Sequence, residues 1–396
     1  VGISLFPGIV ALAFAVAGLT GCAGRDLYPR LKDDKRLMVR LWTQMTQRDV
    51  LKEHGSDFSN PVVSDNMLIY GSKSRGLTAL YPKLNQERWN FPIPGGVVSE
   101  LTIDKGAVFF TGANGELYSV NIETGVVNWK YDLRNPVTSR CVISGGRLFV
   151  TTSDDTVYAF DAGTGKWLWH YRRRSAQSST VLGASAPLVD GKDVFVGLSD
   201  GFVVQLSLQD GQLKWEKKIH QGTRFTDVDA TPVLDQGILY IPSYDGALYA
   251  LKRSNGDIVW RFDAGGSKDI IIEDQRIFLP SSNGTIYALQ KNNAKILWKF
   301  ELDRGTPTRL TVVDDFLAFG SSFQYLYLIK RSDGTPVYRF NTGSESGFYG
   351  SPAWDSKQKR LYILSAAGNL HAFALRQPPK KTYWLGKADP YEDFHR

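Results

Sequence analysis

Two carboxylates two residues apart, Asp227 and Asp229, stand in the run Arg224-Phe225-Thr226-Asp227-Val228-Asp229-Ala230-Thr231-Pro232-Val233. Side chains alternate along an extended segment, so both carboxylates point to one side. There they suit a basic partner surface or a set of N–H donors. The same oxygens could instead cap their own loop by accepting backbone N–H groups. As a calcium site the pair falls short, because calcium takes roughly six to eight oxygens and this stretch supplies two carboxylates. The histidines, His54, His170, His220, His371 and His395, show no metal-ligand spacing. No Gly-x-Ser-x-Gly elbow and no phosphate-binding glycine loop before a helix occurs. The residue pattern therefore predicts a binding protein with no catalytic group, no metal, no cofactor and no small-molecule substrate.

The chain holds 2 cysteines. Cys22 follows the apolar stretch Ile3 to Leu19 and the small residues Thr20-Gly21, too short a run for a comfortable membrane span. Leu19-Thr20-Gly21-Cys22 resembles the bacterial lipobox, which implies a signal peptide over 1–21, diacylation of the Cys22 thiol and a lipid-anchored linker over 22–37. Each buried lipid methylene contributes roughly 0.8 kcal/mol, so more than one acyl chain gives a lasting anchor. No Lys or Arg precedes Arg25, unlike the usual positive start of such peptides. Ala23 after the cysteine implies sorting to the outer membrane. Cys141, in the apolar run Cys141-Val142-Ile143, is then left without a disulfide partner and reads as a small buried hydrophobe.

A length of 396 residues with 42% hydrophobic and 12% aromatic content is enough for a large core. The net charge of +7 is spread along the chain rather than massed, so no nucleic-acid partner is expected.

What positions these residues is a repeat. Aromatic residues fall at Trp89, Trp129, Trp169, Trp215, Trp260, Trp298 and Tyr338, spaced by 40, 40, 46, 45, 38 and 40. Such a period marks stacked or radial units. Four residues before each aromatic lies a turn position, held by Asn85, Gly125, Gly165, Gly211, Gly256, Ala294 and Gly334. A positive φ is least costly there for Gly or Asn, and only Ala294 departs from that rule. Each unit reads as apolar strand, turn, alternating strand, turn and a strand ending in Trp, as in Arg147-Leu-Phe-Val, Thr156-Val-Tyr-Ala-Phe and Lys166-Trp-Leu-Trp. Four short strands per 40 or so residues make one propeller blade.

An eighth unit runs through Arg360-Leu-Tyr-Ile-Leu and Gly368-Asn-Leu-His-Ala-Phe into Pro378-Pro379 without its aromatic strand. Met38-Val-Arg-Leu-Trp42 has the missing shape, so the sequence predicts an all-β, eight-bladed propeller over 38–375. An N-terminal strand closes the ring and removes its free edges. Residues 376–396, with Pro378-Pro379-Lys380-Lys381 and Tyr383-Trp384, form a tail outside the repeat.

These turn-plus-Trp units resemble the repeats of quinoprotein (PQQ) dehydrogenases and their non-enzymatic relatives, and with the lipobox they resemble the BamB family of propeller lipoproteins. The resemblance covers the chain from Cys22 to about Leu375. It implies a scaffold subunit of the outer-membrane β-barrel assembly machinery, anchored by lipid on the periplasmic face of the outer membrane. Its partners would be the POTRA domains of BamA and other subunits of the machinery. Two loops lying side by side on one rim would make the contact, one carrying Val181 and Leu182, the other Arg224, Asp227 and Asp229. The first departs from the family pattern, in which a Leu-x-Leu-Arg run precedes the glycine. Here Ser179-Thr180-Val181-Leu182 puts Leu182 where the contact arginine would be. Either the interface is rebuilt, around Arg224 or the Arg172-Arg173-Arg174 run, or the partner differs. Two alternatives remain. A PQQ-dependent dehydrogenase would hold a quinone and calcium in its funnel, but this chain has no adjacent cysteines and lacks long insertions between blades. A glycan- or peptidoglycan-binding propeller would expose aromatics such as Phe225, Phe323 and Tyr325.

Overall fold

A computed structural model describes residues 37–46, 59–64, 66–135, 137, 139–173, 185–220, 227–343 and 346–376. Cys22, Arg174, Val181, Leu182, Arg224, Phe225, the signal peptide and the proline-containing tail lie outside them. The described strands form eight four-stranded antiparallel sheets. Blades one to seven take residues 62–91, 102–132, 142–172, 188–218, 233–262, 271–301 and 311–341, each in up-and-down order. Blade eight combines 353–375 with the strand Met38–Met45, which runs antiparallel to Asn369–Leu375 from Met38 opposite Leu375 to Met45 opposite Asn369. The ring closes through its N-terminal strand.

The expected alternation of apolar and polar residues holds only at the outer edge. The outermost strand Val127–Asp132 alternates in exposure, whereas Met67–Ser72 is buried throughout. Middle strands are sandwiched between neighbouring blades, so both their faces must be apolar. The core is accordingly a set of seams between blades. In one, Phe149, Val157 and Trp169 of blade three pack against Val194, Val196 and Val204 of blade four.

The repeated tryptophan does not end its strand, contrary to the sequence expectation. Trp169 is the third residue of Trp167–Arg172, and three more residues follow it. The indole reaches sideways from mid-strand, opposite a register shift between Ala159 and Phe160. Trp89, Trp129, Trp169, Trp215 and Trp298 donate Nε1–H to the carbonyls of Ile122, Ala162, Leu208, Arg253 and Arg331 in the next blade, at 3.0, 3.0, 3.1, 3.1 and 3.2 Å. The turn glycine is the floor on which that indole lies. Gly211 has φ of 72°, and a Cβ there would meet Trp169 at 2.5 Å.

Basic residues three positions before the turn residues Gly256, Ala294 and Gly334 staple blades together. Arg253 of blade five pairs with Asp190 and Asp193 of blade four at 2.9 and 2.7 Å. Lys291 of blade six pairs with Asp235 of blade five at 2.5 Å, and Arg331 of blade seven with Glu273 of blade six.

Up-and-down order sorts the loops by face. Connections between blades, and the turn between each blade's second and third strands, emerge on one face, the rim. The other turns and the chain positions Met38 and Leu375 lie on the opposite face, where the Arg376 N–H donates to the Leu37 carbonyl at 2.7 Å.

Candidate functional site

Asp227 and Asp229 lie on the rim, in the connection between blades four and five. Their segment is wedged between two neighbouring turns. The Val228 N–H donates to the Leu198 carbonyl at 3.2 Å, and the Asp227 carbonyl accepts the Tyr244 N–H at 2.9 Å. The segment preceding blade four lies directly alongside, because the buried Ser185 hydroxyl donates to the Ala230 carbonyl at 3.0 Å. The two connections that the family resemblance pairs are therefore neighbours in the structure, although Val181, Leu182 and Arg224 lie outside the described residues.

The carboxylates are more enclosed than an exposed binding pair would be. Asp227 is 2% exposed and Asp229 half-buried. Asp155, from the rim turn of blade three, joins them and accepts the Ser199 N–H at 3.0 Å together with the Ser199 hydroxyl. Burial raises the Asp155 carboxyl above its ordinary range, and the charges of Asp200 and Asp227 add to the rise. Asp229 is pushed up to about 7, first by burial and then by repulsion from Asp227 and Asp155, while Lys268 acts in the opposite direction. Near neutral pH this site can therefore exchange a proton as well as present negative charge.

Other residues singled out from sequence are locally committed. Arg173 pairs with Asp200, contacts Glu216 at 3.0 Å and stacks over Phe202 at 3.5 Å; Arg172 reaches Asp154 at 3.4 Å. Arg304 covers Phe323 at 5.3 Å, and Tyr325 packs against Tyr327 at 5.7 Å. His220 Nδ1 is 3.0 Å from Asp245 Oδ2, which also accepts the Tyr249 hydroxyl at 2.5 Å. Cys141 is buried and its thiol is pushed up to about 12 by burial, as suits an inert hydrophobe.

The mouth of the central channel carries charged residues that the sequence reading passed over. Arg140 Nη1 meets Asp269 Oδ2 at 3.0 Å, Arg309 Nη1 meets the same oxygen at 3.5 Å, and Arg309 Nη2 pairs with Glu100. Burial works against the Asp269 charge, but Arg309 and Arg140 outweigh it and hold the carboxyl below its usual range. Burial lowers Lys268. Arg140, Asp269 and Arg309 themselves line a cavity of roughly 570 Å³, together with Thr102, Cys141, Leu188 and Val233 among others. A column-wise signal existed: Asn60, Glu100, Arg140, Ala186, Thr231, Asp269, Arg309 and Ser351 each stand two residues before the first strand of their blade. Four of these eight are charged.

Among the described residues no group of three or more His, Cys, Asp or Glu side chains could hold a metal ion. Glu100, Arg140, Asp269 and Arg309 are engaged with one another across the channel.

Comparison with known proteins gives a consistent picture. The family profile described as "Outer membrane protein assembly factor BamB" matches residues 39–136 and 102–300. The protein of that description from Yersinia pestis is 30% identical over 328 residues, covering 81% of this chain and 72% of the relative. That from Shewanella oneidensis is 28% identical over 325 residues, covering 78% and 69%. Among solved structures, BamB from Moraxella catarrhalis superimposes with a TM-score of 0.72 at 19% identity, over 86% of this chain and all of that one. Quinohemoprotein alcohol dehydrogenase from Comamonas testosteroni gives 0.67 at 13% identity, over 90% and 81%. At such identities the structural likeness concerns the fold alone.

Proposed function

The chain belongs to the BamB family of outer membrane protein assembly factors, and on that premise we propose that it is a non-enzymatic scaffold subunit of the β-barrel assembly machinery. It binds the POTRA domains of BamA through the rim at blades four and five and assists insertion of outer-membrane proteins. Cys22 carries the lipid that holds it at the periplasmic face of the outer membrane, with 22–37 as linker. Its contribution is geometric: a closed ring holds a rim site at a fixed angle to its partner.

One observation carries the rim assignment. The Ser185–Ala230 hydrogen bond brings two connections together beside an acidic run that is pinned on both sides by neighbouring turns. A preorganised acidic patch loses little ordering entropy on binding a basic surface. Arg224, Val181 and Leu182 complete the proposed contact, with Leu182 offering apolar area where the family uses an arginine.

The test is a quantitative pull-down of tagged protein from detergent-solubilised envelopes. The natural sequence is compared with Asp229→Lys and Leu182→Asp, each confirmed as folded by circular dichroism. BamA is expected with the natural sequence and reduced roughly tenfold or more by each variant, equivalent to about 1.4 kcal/mol. No BamA with the natural sequence overturns the partner assignment. Undiminished BamA with both variants moves the contact to another face.

A further inference from the structure

The backbone of the rim segment 227–231 is anchored on several sides. Four bonds lie in the two blades it joins: Asp227 carbonyl to the Tyr244 N–H and the Ser243 hydroxyl, Val228 N–H to Leu198, and Ala230 carbonyl to Ser185. A fifth leads elsewhere. The Thr231 N–H donates to Asp269 Oδ1 at 2.9 Å, while Asp269 Oδ2 takes Arg140 and Arg309. Arg309 continues to Glu100. Glu100, Arg140, Asp269 and Arg309 belong to blades two, three, six and seven, so each of the pairs Arg140–Asp269 and Glu100–Arg309 joins blades three places apart in a ring of eight. The charges form a ladder across the channel, and Asp269 within it also holds the rim backbone.

We propose that Asp269 and Arg309 are positioning residues for the acidic rim: the cross-channel ladder Glu100–Arg309–Asp269–Arg140 sets where the Asp227–Asp229 run stands through the Thr231 N–H. The proposal rests on the reading of that rim as a partner site. Two features separate such a role from mere ring stability. Partly buried ion pairs are a costly way to stabilise a fold, since well-packed apolar residues often do as well, so their use here points to geometric specificity. Asp269 also divides its oxygens, one to the ladder and one to the rim, so the arginines fix the orientation of the carboxylate that Thr231 meets. Ser351 and Asn60 show the same contact without the ladder: the Ser351 N–H donates to Asn60 Oδ1 at 2.7 Å. The local bond is thus a property of the repeat, and the charges behind it are particular to this site.

The full chain is compared with Arg309→Met and Asp269→Ala, and with Arg253→Met as a control that breaks a staple on the opposite face. Hydrogen–deuterium exchange is read by mass spectrometry on peptides spanning 227–232 and, as a reference, on the strand Ala247–Lys252. Exchange at the rim is expected to rise by about tenfold in the two ladder variants while the reference strand keeps its protection. BamA capture should fall with it, and the control should leave both unchanged. Should Asp269→Ala fail to fold, Arg140→Met substitutes for it, leaving Arg309 on Asp269. Rim exchange unchanged in the ladder variants, or raised no more than in the control, overturns the proposal. Because exchange needs no partner, that outcome is distinct from failure of the natural sequence to capture BamA.

Discussion

The indole of Trp42 donates Nε1–H to the carbonyl of Pro82 at 3.2 Å, the same bond that Trp89 makes to Ile122 and Trp129 to Ala162. The first described strand is thus joined to blade one by the device that joins every tryptophan blade to its successor for which the bond is described. Ring closure uses the repeat's own chemistry rather than a special lock.

Trp42→Phe keeps the ring contact with Tyr362 but leaves the Pro82 carbonyl without its indole donor. It should cost about 1 kcal/mol. Trp42→Ala should cost about 3 kcal/mol by also opening a cavity at the seam. Urea denaturation of both variants checks the order.

Gly211→Ala places a Cβ at φ of 72° and against Trp169. A loss of roughly 1–3 kcal/mol is expected. Ala294 already sits at φ of 56° in the equivalent turn. Ala294→Gly should therefore relieve backbone strain and gain up to about 1 kcal/mol. Thermal melts should move in opposite directions for the two substitutions.

Asp229 has a folded pKa of about 7 against an ordinary value of 3.8, caused first by burial and then by Asp227 and Asp155. The folded state therefore favours the protonated carboxyl. Its contribution to stability is full below the ordinary value and is lost as pH rises through 7, a swing on the order of 4 kcal/mol. Asp155, also raised, acts in the same direction. Asp229→Asn should stabilise the protein at pH 8 and change little at pH 4, as measured by denaturant midpoints at the two pH values.

His371 gives the opposite slope. Burial, aided by Arg40, lowers it from 6.5 to about 4, with Nδ1 2.9 Å from the Thr43 hydroxyl in the closing strand. Unfolded chain takes up this proton first as pH falls, so the stability present above pH 6.5 is lost between 6.5 and 4, by about 3 kcal/mol. In His371→Gln that part of the acid limb should flatten, whereas a melt series with an unchanged slope would assign the limb to other groups.

Blade number, ring closure by Met38 to Trp42 and the places of the turns were legible in the chain because they are local and periodic. A strand of alternating residues, a glycine at positive φ and a tryptophan every forty or so residues each follow from short-range rules repeated along the sequence. Proximity of the rim connections was legible only through the family resemblance. The double duty of the turn glycine was missed, since its conformation is local but the indole lying on it belongs to the preceding blade.

Burial of Asp227, the raised carboxyl of Asp229 and the ladder from Glu100 to Arg140 were decided by tertiary structure alone. Glu100 and Arg309 are separated by 209 residues and meet only because the ring turns back on itself. By itself, the sequence determined that eight like units would stack into a closed ring, since each has an apolar face that only a neighbour can cover. Which charges face one another across the axis depends on blade count and register together. No local pattern encodes that sum, so the partners, and the field they impose on the rim, appear only once the ring is closed.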